Sequence, residues 1–243
     1  MVYNPFFRKL QTAESGEKAA TYSGIAVKGI WFSILTLVGV AAYFYLPPFT
    51  NSMYMLIGTT AVAVLCPLII FWVPSTTPVL GTVYSVVQGY LVGFVSTQYA
   101  KEYSGIVLMA LGITAIVVLS LFFLYASGII KVGHKFKAFI STLFLGSILA
   151  SGIIFVSSYF FPAMKTIFYG NSMVSLIVAV VVLLITALNL ISEFDHVAQT
   201  VNRRLCKKYE WQAAYGLVMT IVILFLRILR VLAIIFSKAK ENR

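Results

Sequence analysis

The chain has 243 residues, 60% hydrophobic and 10% charged, with a net charge of +11 and a mean hydropathy of +0.97. Soluble domains carry roughly a quarter charged residues, and one this apolar would expose large apolar patches to water. Composition therefore excludes an ordinary soluble domain and leaves an all-α polytopic membrane protein; the basic residues stand in short groups between apolar runs, which argues against a nucleic-acid partner.

A helix needs ~20 apolar residues to cross the hydrocarbon core. Seven stretches qualify: 29–46, 53–73, 79–97, 106–126, 138–161, 172–192 and 211–236. A polar-leaning segment, 1–28, precedes them, and a short basic tail, 237–243, follows the membrane domain 29–236. With no A-x-A-like site after a short apolar stretch, a cleaved signal peptide is not expected. Pro47-Pro48 and Asn51-Ser52 separate the first two spans, and Pro74 to Pro78 the second and third. Lys101-Glu102 follow the third span, Lys131 to Lys137 the fourth, and Pro162 and Lys165 the fifth. Pro67 removes a backbone donor inside span two and predicts a kink. The runs are continuous rather than alternating, so a β-barrel is excluded.

In span three Gly81, Ser85, Gly89 and Gly93 recur every four residues. This small-residue ridge, with a GxxxG step inside it, predicts close helix contact; a dimer face or a pore-lining groove is the alternative. Gly146 and Ala150 could serve the same purpose in span five.

Lys and Arg concentrate on the cytoplasmic side of membrane proteins. With the N-terminus inside, the inner segments hold eleven such residues and the outer loops only Lys101 and Lys165. The longest connection, 193–210, is then cytoplasmic and holds Arg203, Arg204, Lys207 and Lys208. Seven spans put Lys238, Lys240 and Arg243 outside, against the trend.

The last span is apolar without interruption only from Ala213 to Leu226, ~21 Å at 1.5 Å per residue. Arg227 and Arg230 follow on one helical face. They snorkel to the outer interface, or face protein or water inside the bundle, or belong to a re-entrant helix that returns the tail to the cytoplasm.

Few groups can titrate. Of the seven acids only Glu193, Asp195 and Glu210 adjoin spans closely. If helix six runs past Ile191, Thr186, Asn189, Glu193, His196 and Thr200 form one polar stripe, and Asp195, Gln199 and Asn202 another. Such an end is either a solvated helix terminus or one wall of a wet site. Glu193-x-x-His196 has the spacing of a di-iron ligand pair, but no second pair accompanies it. Cys66 and Cys206 read as free thiols. No metal and no cofactor is expected, and without a hydrolase triad or a Walker loop the chain does not read as an enzyme.

The stretches Asn4-Pro-Phe-Phe-Arg8, Glu193-Phe-Asp-His196, Glu210-Trp-Gln-Ala-Ala-Tyr-Gly216 and Leu226-Arg-Ile-Leu-Arg-Val-Leu232 resemble the bacterial branch of the transmembrane Bax inhibitor motif family. The resemblance is strongest over the last 60 residues or so. It implies a seven-transmembrane-helix bundle with the last helix central, surrounded by the other six. It also implies an acid at the end of helix six paired with one in helix seven, and a pH-sensitive calcium leak associated with that pair. Other members are linked to stress survival and to control of a membrane-bound protease. Asp195 matches the helix-six acid, whereas the helix-seven position falls near Thr220 or Ile221, which do not titrate. Arg227 stands where the bacterial branch often has a glutamate, and Gln88 replaces a frequent Glu in span three.

The resemblance thus implies two functions: a pH-sensitive leak for calcium or another cation in a bacterial inner membrane, gated by Asp195, or a non-transporting partner of a membrane protease or other integral protein. In the first, Glu210 is the best candidate to share a proton with Asp195, since Glu193 points elsewhere on its helix. Arg227, ~25 Å along the last helix from Glu210, is expected to reach outer water or Glu102 rather than Asp195.

Overall fold

The computed structural model describes residues 18–45, 53–130, 132–160, 170 and 172–241. The 4–8 motif, the separators 47–48 and 51–52, Lys131, Pro162 and Lys165 lie outside them. The described residues form seven α-helices: α1 Tyr22–Tyr45, α2 Met53–Trp72, α3 Thr77–Glu102, α4 Ile106–Ala126, α5 His134–Phe160, α6 Met173–Asn202 and α7 Tyr209–Glu241. Each coincides with one predicted span, and the departures are at the ends. Helix α1 begins seven residues before the apolar run, α6 continues ten residues past it, and α7 extends five residues beyond Phe236. Polar residues end an apolar run but not a helix, because backbone hydrogen bonding continues wherever a polar side chain finds water or a partner.

Local chemistry sets the breaks. Val73 leads into a 3-10 turn, Pro74–Thr76, whose proline sits where a helix start needs no donor. The Thr77 hydroxyl donates back to the Pro74 carbonyl at 2.6 Å. Gly105, at φ +76°, reverses the chain between α3 and α4, a left-handed conformation that a Cβ would strain. Helix α2 runs through Pro67.

Five helices (α1, α3 with its 3-10 turn, α4, α6 and α7) are long and apolar enough to cross a membrane by described residues alone. Their exposed Leu, Ile, Val and Phe side chains, such as Leu108 and Leu119 on α4, are what a bilayer solvates. Helix α7 is the most buried of the five, 56% of its apolar window against 17% for α4.

The chain divides into two compact units, Met1–Phe94 with Asp195–Met219, and Val95–Phe194 with Thr220–Arg243. In the first, the small-residue ridge of α3 meets α1. A Cβ on Gly89 would overlap the Thr36 carbonyl oxygen and lie 3.0 Å from the Gly39 Cα, and one on Gly81 would lie 2.9 Å from the Phe32 ring. Gly93 approaches Tyr43 equally closely, and Ser85 is fully buried. These glycines thus let two backbones touch within one chain, as small residues do where lipid offers no hydrophobic drive. Gly146 differs: among the described residues nothing lies within 4 Å of its added Cβ. Phe32, wholly buried, packs edge-on against Trp211 and Tyr215, both at 5.8 Å between ring centres.

In the second unit, Leu190, Ile191, Leu224 and Leu229 are buried. The Asn189 amide donates to the Thr220 hydroxyl at 3.4 Å, and the Arg230 guanidinium to the Ser175 hydroxyl at 3.2 Å. These two bonds fix α6 and α7 as antiparallel neighbours there. Ile106, Ala110 and Thr114 make one buried stripe on α4, and Phe194 packs against Phe122 and Tyr125.

Candidate functional site at the start of the last helix

The site is assembled by the turn between α6 and α7. Arg204 adopts φ +51°, which folds the chain back after α6. The Leu205 carbonyl then accepts from the Ala20 amide at 2.8 Å, and the Lys207 amide donates to the Lys18 carbonyl at 3.1 Å. An isolated antiparallel bridge, Ala19 to Cys206, results. It delivers Thr21 to the first turn of α7. The Thr21 hydroxyl accepts the Gly24 amide at 3.0 Å and so caps α1.

Glu210, in the first turn of α7, is fully buried. One carboxylate oxygen accepts the Thr21 amide at 2.9 Å and the Thr21 hydroxyl at 3.3 Å. The other forms an ion pair with the Lys28 ammonium of α1. Lys28 also reaches the Gly24 carbonyl at 3.5 Å and stands 5.2 Å from the centre of the Trp211 ring. A Cβ at position 24 would overlap the Glu210 carboxylate in this position, so a larger residue there would have to displace it. A buried carboxylate is tolerated when its lone pairs are satisfied and its charge is paired, and here Thr21 and Lys28 do both.

Asp195 was the expected partner of Glu210; the groups the fold places on the Glu210 carboxylate are Thr21 and Lys28. Asp195 is half-buried and accepts from the Gln199 amide at 2.7 Å, one turn along its own helix. Glu193 and His196 are half-buried on the same stretch of α6. The second predicted polar position, Thr220, is buried and held by Asn189. Among the described residues no three His, Cys, Asp or Glu side chains gather as a metal site.

The arginines of α7 are half-buried, and the bond from Arg230 to fully buried Ser175 places that guanidinium against α6. Helix α7 is continuous from Tyr209 to Glu241, 33 residues, so the chain does not reverse within it.

Sequence reasoning missed Lys28, Thr21 and Gly24. Lys28 was counted among the charges before the first span. The available signal was its setting, with Ile25-Ala-Val27 before it and Gly29-Ile-Trp31 after it, since a lysine embedded in apolar sequence at a membrane edge calls for a partner.

Helices of this length and apolarity define the chain as an all-α polytopic membrane protein. It belongs to the Bax inhibitor 1 like family, whose model matches residues 4–237. A comparison with curated proteins gives no match.

Proposed function

We propose that this protein is a passive, pH-sensitive leak for calcium or another cation, and not an enzyme. Asp195 serves as the gate acid, and the Lys28–Glu210 pair as the latch of the closed state. The observation that carries this reading is the wholly buried Glu210 carboxylate, tied to α1 by Lys28 and Thr21. Protonating such a carboxylate discharges the ion pair and leaves the ammonium without its counter-charge. Asp195, half-buried at the end of α6, supplies a negative group that a cation can meet. A bacterial inner membrane, a cytoplasmic N-terminus and a role in stress survival complete the proposal.

A second reading, a non-transporting partner of a membrane protease or other integral protein, is favoured by the half-buried Arg227 and Arg230 of α7. Positive charge within the last helix repels a cation, and Thr220 gives the middle of that helix no carboxylate.

Calcium flux into liposomes holding the purified full-length protein, measured at two pH values, separates the two. A leak gives flux that changes with pH, and Asp195→Asn alters that flux and flattens its pH response. Unaltered flux and pH response in Asp195→Asn remove Asp195 as the gate. Absence of flux in the parent at either pH removes the leak and leaves the partner reading.

A further inference from the structure

The turn that builds the site also builds a basic pocket on its outer side. A cavity of about 250 Å³ is lined by Lys18, Cys206, Lys207 and Lys208. Lys207 and Lys208 come from the connection between α6 and α7, and Lys18 is brought to them by the Ala19–Cys206 bridge and the Lys207 amide bond to the Lys18 carbonyl. All three lysines are exposed, while Cys206 is buried and forms an apolar wall. Among the described residues the lining holds no acid, and Glu210, the acid that follows Lys208 in the chain, is buried and paired with Lys28. Exposed Arg203 and Arg204 precede the pocket in the same connection.

We propose that this pocket binds the phosphate of an anionic phospholipid head group. Three arguments lead there. Three of the four residues that line one concavity are lysines, and the complementary ligand is a compact anion. The volume lies below the ~300 Å³ at which pockets begin to hold drug-sized molecules, so it suits a head group and not a whole lipid. Finally, the connection joins two membrane-crossing helices and therefore lies at a bilayer surface, where lipid phosphates are the most concentrated anions. Basic clusters immediately beside a transmembrane helix bind anionic lipid in this way. The ligand is held by charge and hydrogen bonding at the pocket while its acyl chains remain in the bilayer beside α6 and α7.

The test is native mass spectrometry of the detergent-purified full-length protein, titrated separately with phosphatidylglycerol, phosphatidylcholine and inorganic phosphate. The parent should bind phosphatidylglycerol at least about tenfold more tightly than phosphatidylcholine. Each lysine near an anionic group is worth about fivefold in affinity, so Lys18→Gln/Lys207→Gln/Lys208→Gln should abolish the preference. Lys101→Gln, in another connection, should keep it. If the triple variant does not fold, Lys207→Gln/Lys208→Gln should still lower phosphatidylglycerol binding by about twentyfold. Equal affinity for the two lipids in the parent, or an undiminished preference in the folded triple or double variant, would overturn the proposal. So would displacement of phosphatidylglycerol by millimolar inorganic phosphate, which would make the site one for a soluble anion.

Discussion

Replacing Lys28 by methionine should destabilise the protein far more than its position near the chain's beginning suggests. The Glu210 side chain is 1% exposed and that of Lys28 11%. Removing one member of a buried pair strands the other charge and costs about 3–5 kcal/mol, whereas removing both is near neutral. The Thr21 amide and hydroxyl still donate to the carboxylate in Lys28→Met, so the loss should fall at the low end, about 3 kcal/mol. On the scale of soluble domains of similar size that lowers Tm by about 6–12 °C. Glu210→Gln keeps an acceptor for Thr21 but leaves Lys28 facing a neutral amide. Lys28 is the less buried partner and can turn toward water, so this variant should lose less, about 1–3 kcal/mol. The double variant Lys28→Met/Glu210→Gln should then lose clearly less than the two single losses added together, by about 2 kcal/mol. Thermal melts of the four proteins in one detergent at one pH measure this coupling. Additive losses, or a Lys28→Met protein as stable as the parent, would refute the claim that a buried ion pair joins α1 to α7.

Gly89→Ala should lower Tm sharply, because its Cβ overlaps a backbone oxygen that no rotamer change can move. Overpacking ordinarily costs about 1–3 kcal/mol, and a rigid obstacle puts this change at the upper end; Gly112→Ala, with open space around its Cβ, should stay within about 0.5 kcal/mol of the parent. Equal melting of the two variants would mean that α1 and α3 do not touch at Gly89. For topology, a cysteine at exposed Asn202 in a protein lacking Cys66 and Cys206 should react with a membrane-impermeant thiol reagent only from the cytoplasmic side, and reaction only from outside would invert the proposed orientation.

Composition and local pattern determined the class and the number of helices. Crossing a bilayer requires a continuous apolar run of fixed minimum length, and seven such runs separated by Pro, Asn, Lys and Glu are visible without any tertiary contact. The ridge at Gly81, Ser85, Gly89 and Gly93 was visible for the same reason, since a period of four marks one face of a helix. Its partner was not: Thr36 and Gly39 of α1 carry no mark in the sequence that pairs them with α3, and only the fold brings them together. The helix ends were also misplaced, because hydropathy stops at the first charges while α1 continues outward from Lys28 to Tyr22 and α6 onward through Glu193 and Asp195. The polar site shows the same division. That Glu210 needs a partner follows from a carboxylate at the edge of an apolar helix, and Asp195 was the nearest acid that family resemblance offered. The tertiary structure instead supplies Lys28 and Thr21, 182 and 189 positions away along the chain. That Arg230 lies beside Ser175 is likewise a result of the fold alone. Periodicity reports which face of a helix is apolar, but a buried charge is satisfied by whichever group the packing of whole helices places beside it, and that is decided only when the chain has folded.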